Sequence, residues 1–279
     1  MDNKSLEIIS YKIRKHAINA VYNAASGHPG GSLSIADILA VLYFDKMNIT
    51  DPNDEMRDRF VLSKGHCSPA LYGALAEKCF INKEDITTFR HIDSYLQGHP
   101  DMKNVPGVDM STGSLGQGVS AACGMALNAK IDNKDYRVYA ILGDGELEEG
   151  QVWEAAMFAP HYKLDNLTIF VDFNGLQIDG NISDVMSPLP IDKKFENFGW
   201  NVIVIDAHSY DEIKDAIEKA KMTKGKPTAI IAKSTKGKGV SFMENNAGWH
   251  GMAPNEEQYK IAISDLNKKL EELGAEIDG

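Results

Sequence analysis

Asp144 stands between two glycines in VYAILGDGELEEG, directly after an apolar run with the make-up of a buried strand. Asn174 stands in the same relation to a second run, LTIFVD. The first run ends at Leu142, the turn Gly143-Asp144-Gly145 follows, and a helix carrying Trp153, Ala156 and Met157 returns the chain to the strand ending at Asp172. Such a βαβ unit sets Asp144 and Asn174 side by side at one edge of a sheet. A carboxylate, an amide oxygen and a nearby backbone carbonyl make a hard oxygen site suited to Mg²⁺ or Ca²⁺, which can bridge to a diphosphate. Without a Cβ at Gly143 and Gly145, phosphate oxygens can approach backbone N–H groups. Either dipeptide alone, Asp144-Gly145 or Asn174-Gly175, also reads as a tight turn; the frame that holds both is what points to a metal.

Other segments carry weaker signals. STGSLGQG (111–118) is a Gly-rich loop ahead of a small-residue helix, suited either to close helix–sheet packing or to presenting backbone N–H groups to an anion. His28 (SGHPGG), His66 (KGHC), His99 (GHP) and His250 (WHG) each adjoin glycine in segments that read as loops. None pairs with another at the helical spacing of a zinc site, so they read as hydrogen-bonding or structural groups. His16, His91, His161 and His208 keep the structural reading. Lys233, Lys236 and Lys238 fit a solvated basic loop. Glu149 and Glu154 fit an acidic first turn favoured by the helix dipole.

The elements that must position these residues follow from periodicity. Leu6, Ile9, Ile13, Ala17, Ala20 and Ala24 share one face of a helix that SGHPGGSLS then breaks. RFVLS (59–63), VYAIL (138–142), LTIFVD (167–172), NVIVID (201–206) and TAIIAK (228–233) are β-rich runs between helical stretches. The alternation predicts an α/β fold, a doubly wound and mostly parallel sheet with helices on both faces and ligands at the carboxyl ends of the strands. A last helix carries Tyr259, Ile263, Leu266, Leu270 and Leu273 and stops at Gly274. No repeat or long Pro/Gly/Ser linker interrupts residues 1–279, so a single domain with a helical extension at each end is expected.

Composition narrows the partners. The formal net charge of -11 disfavours nucleic acid, and no apolar run approaches the roughly 20 residues that span a bilayer. An anionic ligand must therefore be held locally. Three cysteines, Cys67, Cys79 and Cys123, show no metal spacing, and the N-terminus lacks the apolar core of a signal peptide, which together point to the cytoplasm.

The GDG motif, with Asn following the next strand, resembles the thiamine-diphosphate motif, and GELEEGQVWEA resembles that of transketolases in particular. The likeness extends to SGHPGGSLS, LSKGHCSPALY, GHP, STGSLGQGVSAACGMA and KGKGVSFMENNAGWHG, essentially the whole chain. It is similar to the diphosphate-binding, N-terminal domain of transketolase, a family that includes enzymes split into two subunits at this boundary. The resemblance implies thiamine diphosphate and Mg²⁺, or Ca²⁺ or Mn²⁺ in its place, with Asp144, Asn174 and the Leu176 carbonyl as metal ligands. It implies cofactor contacts at His66, Gly113, Ser114, Leu115, Gly143, Asp144, Gly145, Glu146, Asn174, Lys233 and His250. His28, His66, His99 and His250 would line a substrate channel and act in catalysis, and Glu149 and Glu154 would lie at a subunit interface.

The implied reaction is transfer of a two-carbon ketol unit from a ketose phosphate to an aldose phosphate. The activating glutamate and the phosphate-gripping arginines of the family belong to a pyrimidine-binding domain, for which no second α/β pattern exists here. A C-terminal partner subunit, in an α2β2 assembly, is therefore expected. Two other readings stand beside this one, the α subunit of a 2-oxoacid dehydrogenase and a non-catalytic cofactor-binding regulatory subunit. A nicotinamide-binding domain is disfavoured because no GxGxxG follows the first strand.

Overall fold

A computed structural model describes residues 1–276. Helix α1 (Asn3–Asn23) starts where the Asp2 side chain accepts the Ser5 amide, and it buries Leu6, Ile13, Ala17 and Ala20 as their spacing predicts. Then come α2 (Pro29–Ser34), α3 (Ala36–Val41), β1 (Arg59–Leu62), α4 (Ser68–Glu77), α5 (Gln117–Ile131), β2 (Val138–Gly143), α6 (Gly150–His161) and β3 (Leu167–Phe173). A small antiparallel hairpin, β4 (Leu176–Gln177) and β5 (Gly180–Asn181), leads through α7 (Ile182–Val185) and α8 (Ile191–Asn197) to β6 (Asn201–Asp206). The remainder is α9 (Tyr210–Met222), β7 (Thr228–Lys233) and α10 (Glu256–Glu272).

The five β-rich runs form the five strands to within a residue at each end. They pair in parallel in the order β1-β2-β3-β7-β6. Alternation along each strand feeds two cores. Phe60, Tyr139, Ile141, Phe170 and Ile230 pack towards α1, α3, α4 and α9. Val61, Ala140, Leu142, Ile169, Val171 and Ile231 pack towards α5, α6 and α8. The sheet is covered on both faces, which is why its central strands are apolar at nearly every position. Against the far side of α1, Leu266 and Ala262 of α10 pack with Ile18, Leu33 and Trp249. Gly274, at φ 69°, takes the left-handed position just past the end of α10.

One local expectation is corrected. SGHPGGSLS is not a loop throughout: the break ends at His28, and residues 29–34 form α2, because Pro29 suits a first helical turn. Its glycines allow close packing, since a Cβ on Gly31 would sit 2.8 Å from Cys67 Sγ. The helix expected after the GDG turn, carrying Trp153, Ala156 and Met157, is α6. A single tight turn, Gly145–Glu148, intervenes before α6.

Candidate active site

All five parallel strands end at the same edge, and the segments leaving that edge enclose a cavity of about 260 Å³. Its lining includes His28 ahead of α2, Lys64 and His66 after β1, and Gly113 and Leu115 ahead of α5. Asp144, Gly145 and Glu146 come from the turn after β2, Asn174, Leu176 and Gln177 from beyond β3, and Lys236 and His250 from beyond β7.

Asp144 and Asn174 meet as the βαβ frame predicts. Asp144 Oδ1 accepts the Gly145 amide at 2.9 Å, and Oδ2 accepts the Gly175 amide at 2.6 Å. Burial, with the charge of Asp172 nearby, raises the Asp144 carboxyl to about 6, so its ionised form calls for a cation. Asn174 is held by both ends of its amide: Nδ2 donates to Asp172 Oδ2 at 3.1 Å and Oδ1 accepts the Leu176 amide at 3.1 Å. The Leu176 carbonyl accepts the Lys236 ammonium at 3.0 Å. One carboxylate, one amide oxygen and one main-chain carbonyl thus lie about the same cavity, a donor set that fits a hard divalent cation. Among the described residues no three His, Cys, Asp or Glu side chains gather as a zinc site would require.

Three of the four singled-out histidines form a cluster. The ring centroids of His28, His66 and His250 lie 5.1 to 5.5 Å apart. Burial lowers the His28 imidazole to about 4, helped by Arg90, His99 and Lys236, and lowers His250 to about 3, helped by Lys236. His66 is pushed well below the usual range by burial and by Lys64. All three rings are uncharged at neutral pH, able to donate at one nitrogen and accept at the other. His28 Nδ1 is buried without a hydrogen-bond partner in the chain. His99 lies outside this cluster, at the rim, with its ring against Gly113.

Several expected contacts fall elsewhere. Lys233, the last residue of β7, is exposed and faces a different, shallow cleft with Asp206 and His208. Strand alternation turns it away from the cavity, and Lys236 enters instead, bonded to His250 Nδ1 at 3.0 Å as well as to Leu176. Ser114 is exposed and does not line the cavity. Glu146 lines it, but its carboxylate is occupied by the protein: Oε1 accepts Ser63 Oγ and the Gly116 amide, and Oε2 the Gly143 amide. It braces the turns. Glu149 and Glu154, expected at a subunit interface and not in the cavity, are exposed at the start of α6. His16 and His208 hold structural partners, Glu77 and Asp37.

Sequence reasoning missed Lys64 and Asp172. Lys64 Nζ donates to Asp172 Oδ2, which also accepts Ser34 Oγ and Asn174 Nδ2, while Ser234 Oγ donates to Oδ1. The only sequence signal was a lysine beside a motif histidine in SKGHC.

Residues 5–270 match the family described as "Transketolase, thiamine diphosphate binding domain". The chain is 43% identical over 281 residues to one of the subunits of the apulose-4-phosphate transketolase of Phocaeicola vulgatus, covering 100% of both chains. It is 47% identical over 259 residues to the 6-deoxy-6-sulfo-D-fructose transketolase subunit SqwG of a Clostridium strain, covering 92% of this chain and 94% of the relative. Human transketolase is 45% identical over 272 residues, 96% of this chain but 43% of its own. The solved transketolase of Campylobacter jejuni superposes with a TM-score of 0.89 at 35% identity, covering 99% of this chain and 44% of that one. The chain therefore spans the two relatives named as subunits, and under half of the human and Campylobacter transketolases. A likeness that runs the length of the chain, on a sheet that brings Asp144 and Asn174 to one oxygen-lined cavity, places the protein in the transketolase family, as its thiamine diphosphate binding domain.

Proposed function

We propose that the chain is the diphosphate-binding half of a two-subunit transketolase, moving a two-carbon ketol unit from a ketose phosphate to an aldose phosphate. The observation that carries this reading is the cavity where Asp144, Asn174 and the Leu176 carbonyl lie together with three uncharged imidazoles. Those three oxygens would hold Mg²⁺, and the backbone at Gly113, Leu115 and Gly145 would face the diphosphate, with Lys64 and Lys236 supplying positive charge in an otherwise acidic protein. Thiamine diphosphate, when bound, supplies the carbanion-forming ring and the electron sink. His28, His66 and His250 then bind sugar hydroxyls and carry protons as neutral groups, and His99 meets the substrate at the rim.

Two relatives that span the same length are named as subunits, which supports a separate partner carrying the pyrimidine-binding domain. Glu149 and Glu154 would face it. On α6 Met157 and on the adjoining α5 Gly124 are exposed as well, small or apolar groups that a partner could cover. Closed symmetry favours an α2β2 assembly. We further assign residues 1–279 to one domain, with α1 and α10 as its helical extensions, working in the cytoplasm. All three cysteines are free thiols, in keeping with a reducing compartment, and no described helix is long and apolar enough to cross a membrane.

The test is ketol transfer from xylulose 5-phosphate to ribose 5-phosphate, with Mg²⁺ and thiamine diphosphate, by each of the two chains separately and then by both. Apulose 4-phosphate and 6-deoxy-6-sulfo-D-fructose, named for two relatives, extend the donor panel. Turnover only in the mixture is the expected result. Turnover by this chain, free of partner by mass spectrometry, would overturn the two-subunit reading.

A further inference from the structure

Lys236 owes its place to a loop with little regular structure, and one contact ties that loop to a buried ionic network the reaction does not otherwise use. The Thr235 amide donates to His208 Nε2 at 2.9 Å. An accepting Nε2 carries no proton, so the ring proton lies on Nδ1, which donates to Asp37 Oδ2 at 2.7 Å. Asp37 is buried on α3 and also accepts Arg14 Nη1 at 3.0 Å, Arg14 Nη2 at 2.5 Å and the Tyr210 hydroxyl at 2.7 Å. The ring of His208 is therefore fixed in orientation and in tautomer by a carboxylate that cannot turn.

The same network reaches the other side of the cavity. Arg14 Nε donates to the Leu33 carbonyl at 3.2 Å, inside α2, the helix that follows His28. Lys236 lies between these two anchored segments, its stem close to Gly30 of α2 and its ammonium on Leu176 O and His250 Nδ1. On either side of Thr235 the loop is held by main-chain bonds, Ser234 N to Phe173 O, Asn245 N to Lys236 O and Gly237 N to Gly30 O, and by one hydroxyl contact, Ser234 Oγ to Asp172. His208 is the side chain that holds the residue next to Lys236.

We propose that His208 is a positioning residue: by accepting the Thr235 amide from a ring locked on Asp37, it sets where the Lys236 ammonium stands in the cavity. Its consequence for cofactor affinity rests on the functional reading above; the placement itself does not. His208 does not line the cavity, so it acts only through Thr235 and Lys236.

Two near-isosteric variants separate its bonds. In His208→Gln the amide end reaches the place of Nε2 and can still accept from Thr235, while the donor to Asp37 is lost. In His208→Asn the amide stands at the place of Nδ1 and can still donate to Asp37, while Thr235 loses its acceptor. Labelling of the full chain with acetic anhydride, read by mass spectrometry, reports the exposure of each lysine without any cofactor. Lys236 and Lys64 are both 2% exposed and serve as probe and internal control. Lys236 labelling is expected to rise about tenfold in His208→Asn, to stay near the parent level in His208→Gln, and Lys64 to stay protected in both. No rise in His208→Asn, an equal rise in both variants, or a parallel rise at Lys64 would overturn the proposal. Calorimetric titration with thiamine diphosphate and Mg²⁺ follows on the same samples, with the partner subunit present. A roughly tenfold weaker Kd is expected for His208→Asn alone, whereas failure of the parent to bind would count against the functional reading and leave the labelling result standing.

Discussion

Lys64, which lines the cavity, forms a buried ion pair with Asp172, Nζ to Oδ2 at 2.5 Å, with side-chain exposures of 2% and 0%. Burial alone would raise the Asp172 carboxyl, but the Lys64 charge and the hydrogen bonds of Lys64, Ser234 and Ser34 hold it below the usual range. The carboxylate in turn fixes Asn174 through Nδ2, so the pair stands behind the amide oxygen assigned to the metal.

Removing the cation strands a charge. Lys64→Met is expected to cost about 3–5 kcal/mol of folding stability, the usual penalty for leaving one partner of a buried pair uncompensated. Urea unfolding followed by circular dichroism measures it. The double variant Lys64→Met/Asp172→Asn removes the stranded charge and recovers part of the loss; additive losses would show that the pair is not coupled.

Asp144→Ala and Asn174→Ala each remove one of three protein oxygens from the assigned metal site, and both are expected to weaken Mg²⁺-dependent binding of thiamine diphosphate at least tenfold. Calorimetry on the assembled enzyme at several Mg²⁺ concentrations reads this directly. Unchanged Mg²⁺ dependence in both variants removes the metal assignment. Asn174→Ala also frees the Leu176 amide and one donor to Asp172, so its melting temperature is to be compared alongside.

His28 and His250 carry a pH signature. Their folded imidazoles sit at about 4 and about 3, below the ordinary value near 6.5 that applies when unfolded, so between those limits the unfolded chain binds more protons. Stability from keeping them neutral is therefore fully present above pH 6.5 and drains away as the pH falls towards 4 and below. The slope of unfolding free energy between pH 6.5 and 4 is expected to flatten in His28→Phe. An equal slope in the variant would mean that this ring titrates alike in both states.

Turnover separates the cluster from the rim. His250→Ala and His99→Ala are both expected to lower ketol transfer or raise the donor KM by about tenfold or more, with thiamine diphosphate affinity nearly intact in His99→Ala. His250 shares a hydrogen bond with Lys236, so in His250→Ala a modest loss of cofactor affinity accompanies the kinetic one. Full activity in both variants returns these histidines to a structural role.

Legibility in the sequence followed periodicity. Five strands and the terminal helices were readable because burial on two faces of a sheet, or one face of a helix, imposes a repeat, and the βαβ frame then carried Asp144 and Asn174 to the same edge. The loops impose no repeat. Lys233 reads as the end of a strand and Lys236 as part of the loop after it, but no repeat in that loop shows that Lys236 is the lysine buried among site residues. The Lys64–Asp172 pair lies 108 residues apart in sequence, and the burial of either charge is visible only once both strands are in place. Glu146 lines the cavity from the motif turn, but the bracing of Ser63, Gly143 and Gly116 by its side chain is not visible in the sequence. The Pro29–Ser34 segment shows the converse: its Pro and Gly content signals a break, while tight packing on Cys67 and Lys236 makes it a helix.

The Glu146 brace has a thermodynamic consequence. Because a single carboxylate takes the amides of both Gly143 and Gly116, the turn after β2 and the loop ahead of α5 cannot shift independently of each other. The conformational entropy of both segments is surrendered when the protein folds, and little of it remains to be lost when an anion arrives. Recognition at that floor then behaves as docking onto a preformed plate, and its heat-capacity change reflects the surface covered by the ligand rather than any ordering of the chain.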